Sequence, residues 1–306
     1  MLVTAIENSP GGSPPSVARP VCALCGGCLD PYFTRGERHY ERCGRCGFLV
    51  VPEGVATDSS GTSIYESATS VFEADGNDGY YFDQQSSLAN SRRKLSFVED
   101  HLPHGSSLLD AGANFGHFLS VAQHPYRARG FDISPSAVAW SREHLGVDNV
   151  VASVYAPPEA GAPWDAISCW DVIEHLADPV VAIRRLSDRL RPGGWLFLST
   201  PDSGSLLARA LGRRWHYLDP VQHIGVFSRT NLRTLLQAAG FEVVTTRSLG
   251  HDYRVRYVLD RLCYLHPAGV VGGALRAARL LLRPAGGLSI YLQPGDVAVL
   301  SARRLR

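Results

Sequence analysis

The chain has 306 residues, 45 % of them hydrophobic, which is enough for a sizeable core and about two domains. Its 30 basic and 29 acidic side chains nearly cancel, which argues against a protein built around nucleic-acid phosphate. No apolar run approaches the roughly 20 residues that span a bilayer, and no basic n-region precedes an apolar stretch at the N-terminus, so a cytoplasmic protein is expected.

Residues 1–20 are rich in Pro, Gly and Ser and bury too little to offset their ordering entropy, so they read as a disordered tail. Residues 21–51 carry two CxxC pairs, Cys22/Cys25 and Cys43/Cys46, each followed by a glycine that permits a tight turn. A CxxC turn puts two sulfurs on one side of an ion, and two such turns complete a tetrahedron, so the spacing predicts a structural zinc ribbon. Four thiolates leave no open coordination position, which excludes a catalytic metal here. Cys28 lacks a matching partner pair and reads as a spare thiol. Cys169 and Cys263 sit in apolar surroundings and are expected in the core.

Residues 52–87 form a polar connector with some helix, bearing Tyr65, Tyr80 and Tyr81. From residue 88 to 306, short apolar runs alternate with helix-length segments, the signal for a parallel sheet with helices on its faces. The predicted strands are 107–111, 127–132, 149–153, 165–170, 195–199, 242–248 and 296–302. Ser134-Pro135 and Asp178-Pro179 each supply a cap followed by proline at the first helical position, and Ser228 caps a helix that Gly240 ends. Residues 250–287 read as an insertion of two helices, Tyr253–Leu265 and Val270–Leu282. The second is amphipathic and basic, and is expected to serve as a pocket lid or a contact between copies rather than on a membrane.

The strand-turn-helix Leu108-Leu-Asp110-Ala111-Gly112-Ala-Asn114-Phe-Gly116 suits a nucleotide-like ligand. Gly112 would admit the ligand close to the backbone, and Gly116 would let the helix pack on the sheet. The next strand ends in Asp132-Ile133, where a carboxylate can accept from two ribose hydroxyls and Ile133 can cover an adenine face. These pieces, with WDAISCWDVIEHLADP and LRPGGWLFLSTPD in the same order, resemble the class I S-adenosylmethionine (SAM)-dependent methyltransferases. The resemblance implies an α/β, Rossmann-like doubly wound sheet of seven strands with the last strand antiparallel. It implies Asp110, Ala111 and Gly112 beside the methionine part of SAM, Asp132 on the ribose, Ser153 and Val154 facing the adenine, and Trp170 and Asp171 beside the sulfonium. Asn114 stands where the family usually has glycine, and Ser153 where it often has Asp. Asn tolerates a left-handed backbone and caps helices, so the turn is expected to survive.

A four-cysteine unit before such a domain resembles bacterial sugar and natural-product methyltransferases. That likeness extends to the loop from Pro201 through Trp215 to His223 and Ser228, which implies a wall of the acceptor pocket. His223 is the first candidate for a general base and His175 the second, since histidine titrates near neutral pH. His216 and Tyr217 are candidate acceptor contacts. Asp171, Glu174 and His175 also resemble the divalent-metal cluster of quinone-biosynthesis O-methyltransferases. The leading reading is methyl transfer to a small-molecule acceptor such as a sugar, natural-product or nucleoside intermediate, with no nucleic-acid partner. Alternatives are a zinc-ribbon ribosomal-RNA base methyltransferase, or a SAM-binding protein with another reaction. The sequence sets neither the acceptor atom nor the oligomeric state.

Overall fold

In the computed structural model, residues 20–54, 84–265 and 268–305 are described. The expected tail apart from Pro20, and the connector tyrosines Tyr65, Tyr80 and Tyr81, lie outside the described residues. The cysteine region forms three short strands, β1 (Leu29–Arg35), β2 (Arg38–Cys43) and β3 (Leu49–Val50). Helix α1 (Gln84–Glu99) runs across the expected boundary between connector and sheet domain. Then follow β4 (Ser107–Ala111), α2 (His117–Ala122), β5 (Arg127–Asp132), α3 (Pro135–Leu145), β6 (Asn149–Val151), β7 (Trp164–Trp170), α4 (Pro179–Arg189) and β8 (Leu190–Pro201). The second half holds α5 (Leu206–Leu211), β9 (Gly225–Val226), α6 (Arg229–Ala238) and β10 (Phe241–Ser248). It ends with β11 (His251–Arg254), α7 (Val255–Leu265), α8 (Gly269–Leu281), β12 (Ser289–Leu292) and β13 (Val297–Arg304).

The seven-stranded sheet has the order β10-β13-β8-β7-β4-β5-β6. Its strands pair in parallel except β13, which runs antiparallel to both neighbours. Central strands are covered on both faces, so they are apolar almost without alternation. In β8, Leu196, Phe197 and Leu198 are fully buried, and Leu108 and Leu109 of β4 are nearly so. The predicted caps form. Ser134 accepts from the Ala137 N–H, Asp178 accepts from the Val181 N–H, and Ser228 makes a reciprocal capping box with Asn231. Each such cap contributes about 1 kcal/mol.

Two expectations change. The Pro192-Gly193-Gly194 segment, ahead of the predicted strand 195–199, lies inside β8. The pairing with β7 shifts there, from Trp164 opposite Leu190 to Ala166 opposite Trp195. A Cβ on Gly194 would lie 2.9 Å from the Arg191 carbonyl oxygen, so glycine lets the strand bulge instead of stopping. The insertion is also more than two helices. Residues Tyr253 and Arg254, expected at a helix start, belong to β11, which pairs antiparallel with β12 and closes a stem beneath α7 and α8.

That stem is fastened to α1. The Asn90 side chain donates to the Asp252 carbonyl at 3.1 Å and accepts from the Asp252 N–H at 2.7 Å, while Arg93 forms an ion pair with the Asp252 carboxylate at 2.8 Å. Asn90 is 7 % exposed, so nothing else in water-poor surroundings replaces those two bonds. Asn90→Leu should therefore lower stability by about 1–3 kcal/mol and speed amide exchange in 251–254. Thermal melts and exchange rates equal to those of the parent would contradict this fastening.

Candidate active site

The strand order reverses between β4 and β7, and ligands of open α/β sheets bind beyond the carboxyl ends of strands at such a point. A cavity of about 660 Å³ lies there. It is lined by the expected Asp110, Gly112, Asn114, Asp132 and Ile133, and farther round by Ser153, Val154, Trp170, Asp171, His175 and His223. Ala111 and Gly116 do not line it. Ala111 is fully buried in the core, and the open side of Gly116 faces Ser141 and Val147, where a Cβ would sit 3.0 Å from each side chain. Gly116 thus lets α2 approach α3 rather than the sheet. Gly112 lines the cavity and also makes room for a neighbouring side chain. Its φ is 74°, and a Cβ there would meet the Val172 side chain at 2.5 Å, so the room it leaves is filled by Val172.

Asn114 adopts a left-handed φ of 48°, as the sequence suggested, but it does not cap α2, whose N-cap is Gly116. Its N–H donates to Asp132 at 2.8 Å, and the Ser134 N–H donates to the other carboxylate oxygen at 2.9 Å. Burial raises the Asp132 pKa and these donors oppose the rise. The carboxylate is thereby oriented with lone pairs to spare for hydroxyl donors. Asp110 is buried and accepts from the Ser168 hydroxyl at 2.7 Å, and desolvation pushes its pKa up to about 7. Ser153 lies just beyond β6, where its hydroxyl accepts from the Tyr155 N–H at 3.2 Å. The Trp170 Nε1 and His117 Nε2 atoms, both buried beside the cavity, have no hydrogen-bond partner among the described residues. The oriented Asp132 carboxylate, in one cavity with Ile133 and Val154, makes a cleft that fits SAM.

Asp171 also has a left-handed φ, 55°, which costs energy outside glycine and tends to mark functional sites. Its carboxylate accepts from Lys94 Nζ at 2.9 Å and from the Ser199 hydroxyl at 2.7 Å. Burial is the largest influence and opposes its ionisation, but Lys94, His251 and the Ser199 hydroxyl together outweigh it and hold the pKa at about 2. Lys94 is the sole lysine of the chain, lies on α1 and also rests 5.5 Å from the Trp170 ring. Sequence reasoning passed over it. The one signal in the chain was its singularity among arginines.

The second polar group is Glu174, His175 and His223. Glu174 is buried, accepts from the Thr200 hydroxyl at 2.8 Å, and burial with the nearby Asp171 charge pushes its pKa up to about 8. His175 Nδ1 lies 2.8 Å from the Gln222 carbonyl, and His223 Nδ1 lies 2.8 Å from the Tyr217 carbonyl. A carbonyl only accepts, so each Nδ1 carries the proton and, on a neutral ring, the lone pair sits on Nε2. Burial and then the His223 charge lower the His175 pKa to about 3, so that ring is neutral at pH 7. The two rings lie 5.1 Å apart between centroids. The expected metal trio does not assemble as such, because Asp171 is engaged by Lys94. The ligand atoms that converge, within 4.8 Å of one another, belong to Glu174, His175 and His223.

The opposite wall comes from the insertion, with Tyr253, Tyr257, Val258 and Leu262 facing the cavity. The lid was expected on the second helix, but the cavity is lined from β11 and α7, and no described residue of α8 lines it. Tyr217, 5.7 Å from His223 between ring centroids, and His216 also line the cavity. At the far side of the His223 loop, the four cysteines are close together. Cys22 and Cys46 sulfurs lie 3.7 Å apart, Cys25 and Cys43 sulfurs 3.4 Å, and all four lie within 4.8 Å. A tetrahedron of thiolates about 2.3 Å from zinc has edges of about 3.8 Å, so the donor set fits that ion. Cys28 is exposed and Cys169 buried, as expected, while Cys263 is only half-buried.

Comparison with known proteins agrees with this geometry. A family profile described as a methyltransferase domain matches residues 82–246. Ubiquinone biosynthesis O-methyltransferases from Xanthomonas axonopodis pv. citri and Nitrosospira multiformis are 36 % and 30 % identical over 116 and 115 residues, 35 % of this chain and 48 % of theirs. The chain thus spans about half the length of the curated relatives it matches. In the solved complex of the Haloferax volcanii Trm112 methyltransferase activator with a methyltransferase, one chain aligns at a TM-score of 0.54 and 16 % identity, covering 77 % of this chain and 97 % of that one. A Bacillus halodurans protein assigned to the methyltransferases aligns at a TM-score of 0.51 and 13 % identity, over 71 % and 100 %. The sheet order and the domain match together show that the chain belongs to the methyltransferase-domain family, with the class I SAM-dependent fold.

Proposed function

We propose that the protein transfers a methyl group from SAM to a hydroxyl of a small-molecule acceptor, with His223 as general base. The observation that carries this reading is the Nδ1–H of His223 held on the Tyr217 carbonyl, which fixes the ring with Nε2 as proton acceptor. The activity named for the curated relatives, O-methyl transfer, supports a hydroxyl as the acceptor group.

When bound, SAM supplies an activated methyl carbon, so the protein contributes position, a dry pocket and a route for the acceptor proton. Asp132 is the group to hold the ribose hydroxyls, with Ile133 and Val154 against the adenine. Asp110 and the Gly112 loop flank the methionine part, and Trp170 and Asp171 the reacting end. Lys94 offsets the Asp171 charge, so the site can carry that carboxylate ionised. The lid residues Tyr253, Tyr257, Val258 and Leu262 give the acceptor an apolar wall and exclude water. His223 then takes the hydroxyl proton as the oxygen–carbon bond forms, and His175, neutral, stands beside it as an acceptor of hydrogen bonds.

A second reading has one observation in its favour: the convergence of Glu174, His175 and His223. Two imidazole Nε2 atoms and a carboxylate suit a divalent cation, in which case His223 is a ligand and not a base. The cysteine unit is assigned to one structural zinc per chain, held by Cys22, Cys25, Cys43 and Cys46.

Metal analysis of freshly purified protein should find about one zinc per chain, and Cys43→Ser should lose it; protein without zinc would remove the ribbon assignment. For the reaction, release of S-adenosylhomocysteine is followed over a panel of small phenols, sugars and nucleosides. His223→Ala and His223→Gln should each lower turnover about 10²–10⁴-fold with SAM affinity nearly intact, because an amide cannot take the proton. Turnover of His223→Gln near the parent's would retire the base. Stimulation of the zinc-loaded parent by added Mg²⁺ or Mn²⁺ would favour the second reading.

A further inference from the structure

The ribbon is built into the wall of the site. Strand β9, which begins two residues after His223, completes the ribbon sheet in the order β1-β2-β3-β9. Leu49 pairs with Val226 and Val50 with Gly225, both antiparallel. The Val51 N–H donates to the Ile224 carbonyl at 2.8 Å. The Phe48 and Phe227 rings lie 4.8 Å apart, and the Asn231 side chain donates to the carbonyl of Cys46, a zinc-ligand candidate, at 3.0 Å. Closest to the chemistry is Tyr40 of β2. It is fully buried, and its hydroxyl donates to the His223 carbonyl at 2.6 Å.

His223 is therefore gripped at every backbone group. Its N–H donates to the Asp219 carbonyl at 2.8 Å, its carbonyl accepts from Tyr40, and the next carbonyl accepts from Val51. Its ring is turned by Tyr217. Two of these holds come from the cysteine unit. A buried carbonyl that loses its donor must move or remain unpaired, and a shift of about 1 Å in a catalytic group can cost about 10² in rate.

We propose that Tyr40 is a positioning residue for His223, through which the four-cysteine ribbon sets the reach of the imidazole toward the acceptor. This rests on the reading of His223 as the group that meets the acceptor proton. The ribbon touches neither SAM nor acceptor. It acts by fixing the backbone that carries the base.

The test uses the full-length zinc-loaded protein with ¹³C-labelled histidine rings, the His223 signal being assigned by its loss in His223→Ala. In Tyr40→Phe, the His223 ring signal should shift while the other histidines keep theirs. Amide exchange across 219–226 should rise about fivefold or more, with zinc content and S-adenosylhomocysteine affinity unchanged. In turnover, Tyr40→Phe should slow the parent but add nothing in the His223→Ala background, because its effect passes through His223. An unshifted His223 signal, or a turnover loss that adds fully to that of His223→Ala, would overturn the proposal. Should Tyr40→Phe fail to fold, Phe48→Leu, which loosens the contact with Phe227, is read in the same way. If the ring signal shifts but His223→Ala retains turnover, the clamp stands and the general-base reading fails.

Discussion

The pairing of β3 with β9 is the constraint on which the site depends. Two residues on each side form this ladder, too few to stand alone. It holds because both strands are anchored elsewhere, β3 by the cysteine knuckle and β9 by α6 behind it. The ring contact of Phe48 with Phe227 and the Asn231 bond to Cys46 close the gap between them. A loop that must present an imidazole over a cofactor cleft is otherwise a mobile element. Here a four-sulfur knot outside the sheet makes it part of a second sheet. The ribbon and the sheet domain are therefore read as mechanically joined, although sequence composition separates them.

The other half of the site is set by an interlock at the switch point. Asp171 takes a left-handed turn at the end of β7, and the side chain of the following Val172 fills the space that Gly112 leaves at the end of β4. The loop carrying Asn114 is thereby fixed against the neighbouring strand, and the Asn114 N–H reaches Asp132. Lys94 supplies the charge that lets Asp171 remain ionised in this setting, while Asp110 and Glu174, without so close a cation, are pushed toward neutrality. Three carboxyl groups in one cleft thus differ in pKa because their neighbours differ.

Much of this was legible in the sequence, for definable reasons. The buried parallel strands are short apolar runs, and the helix starts are marked by Ser134, Asp178 and Ser228, whose side chains do the capping. CxxC spacing is a local property, so the four cysteines were found as a set. What stayed hidden depends on long-range contact. Nothing near Tyr40 in the chain says that its hydroxyl meets a carbonyl far along the sequence. Lys94 lies on a helix with weak apolar periodicity, and its partner Asp171 is remote. The strand character of Tyr253 and Arg254 comes from β12 and Asn90, so local propensity favoured a helix. Gly112 was found for its place beside the cavity but not for its contact with Val172, because a sequence shows that space is required and not all that fills it.

The central claim is that the cleft beyond β4 and β5 holds SAM in front of the His223 loop. The most direct measurement is hydrogen exchange of the full chain with and without S-adenosylhomocysteine. One equivalent should protect residues 110–118 and 131–134 and leave the cysteine strands β1 and β2 unchanged. Absence of binding, or protection confined to residues outside the cleft, would contradict the account.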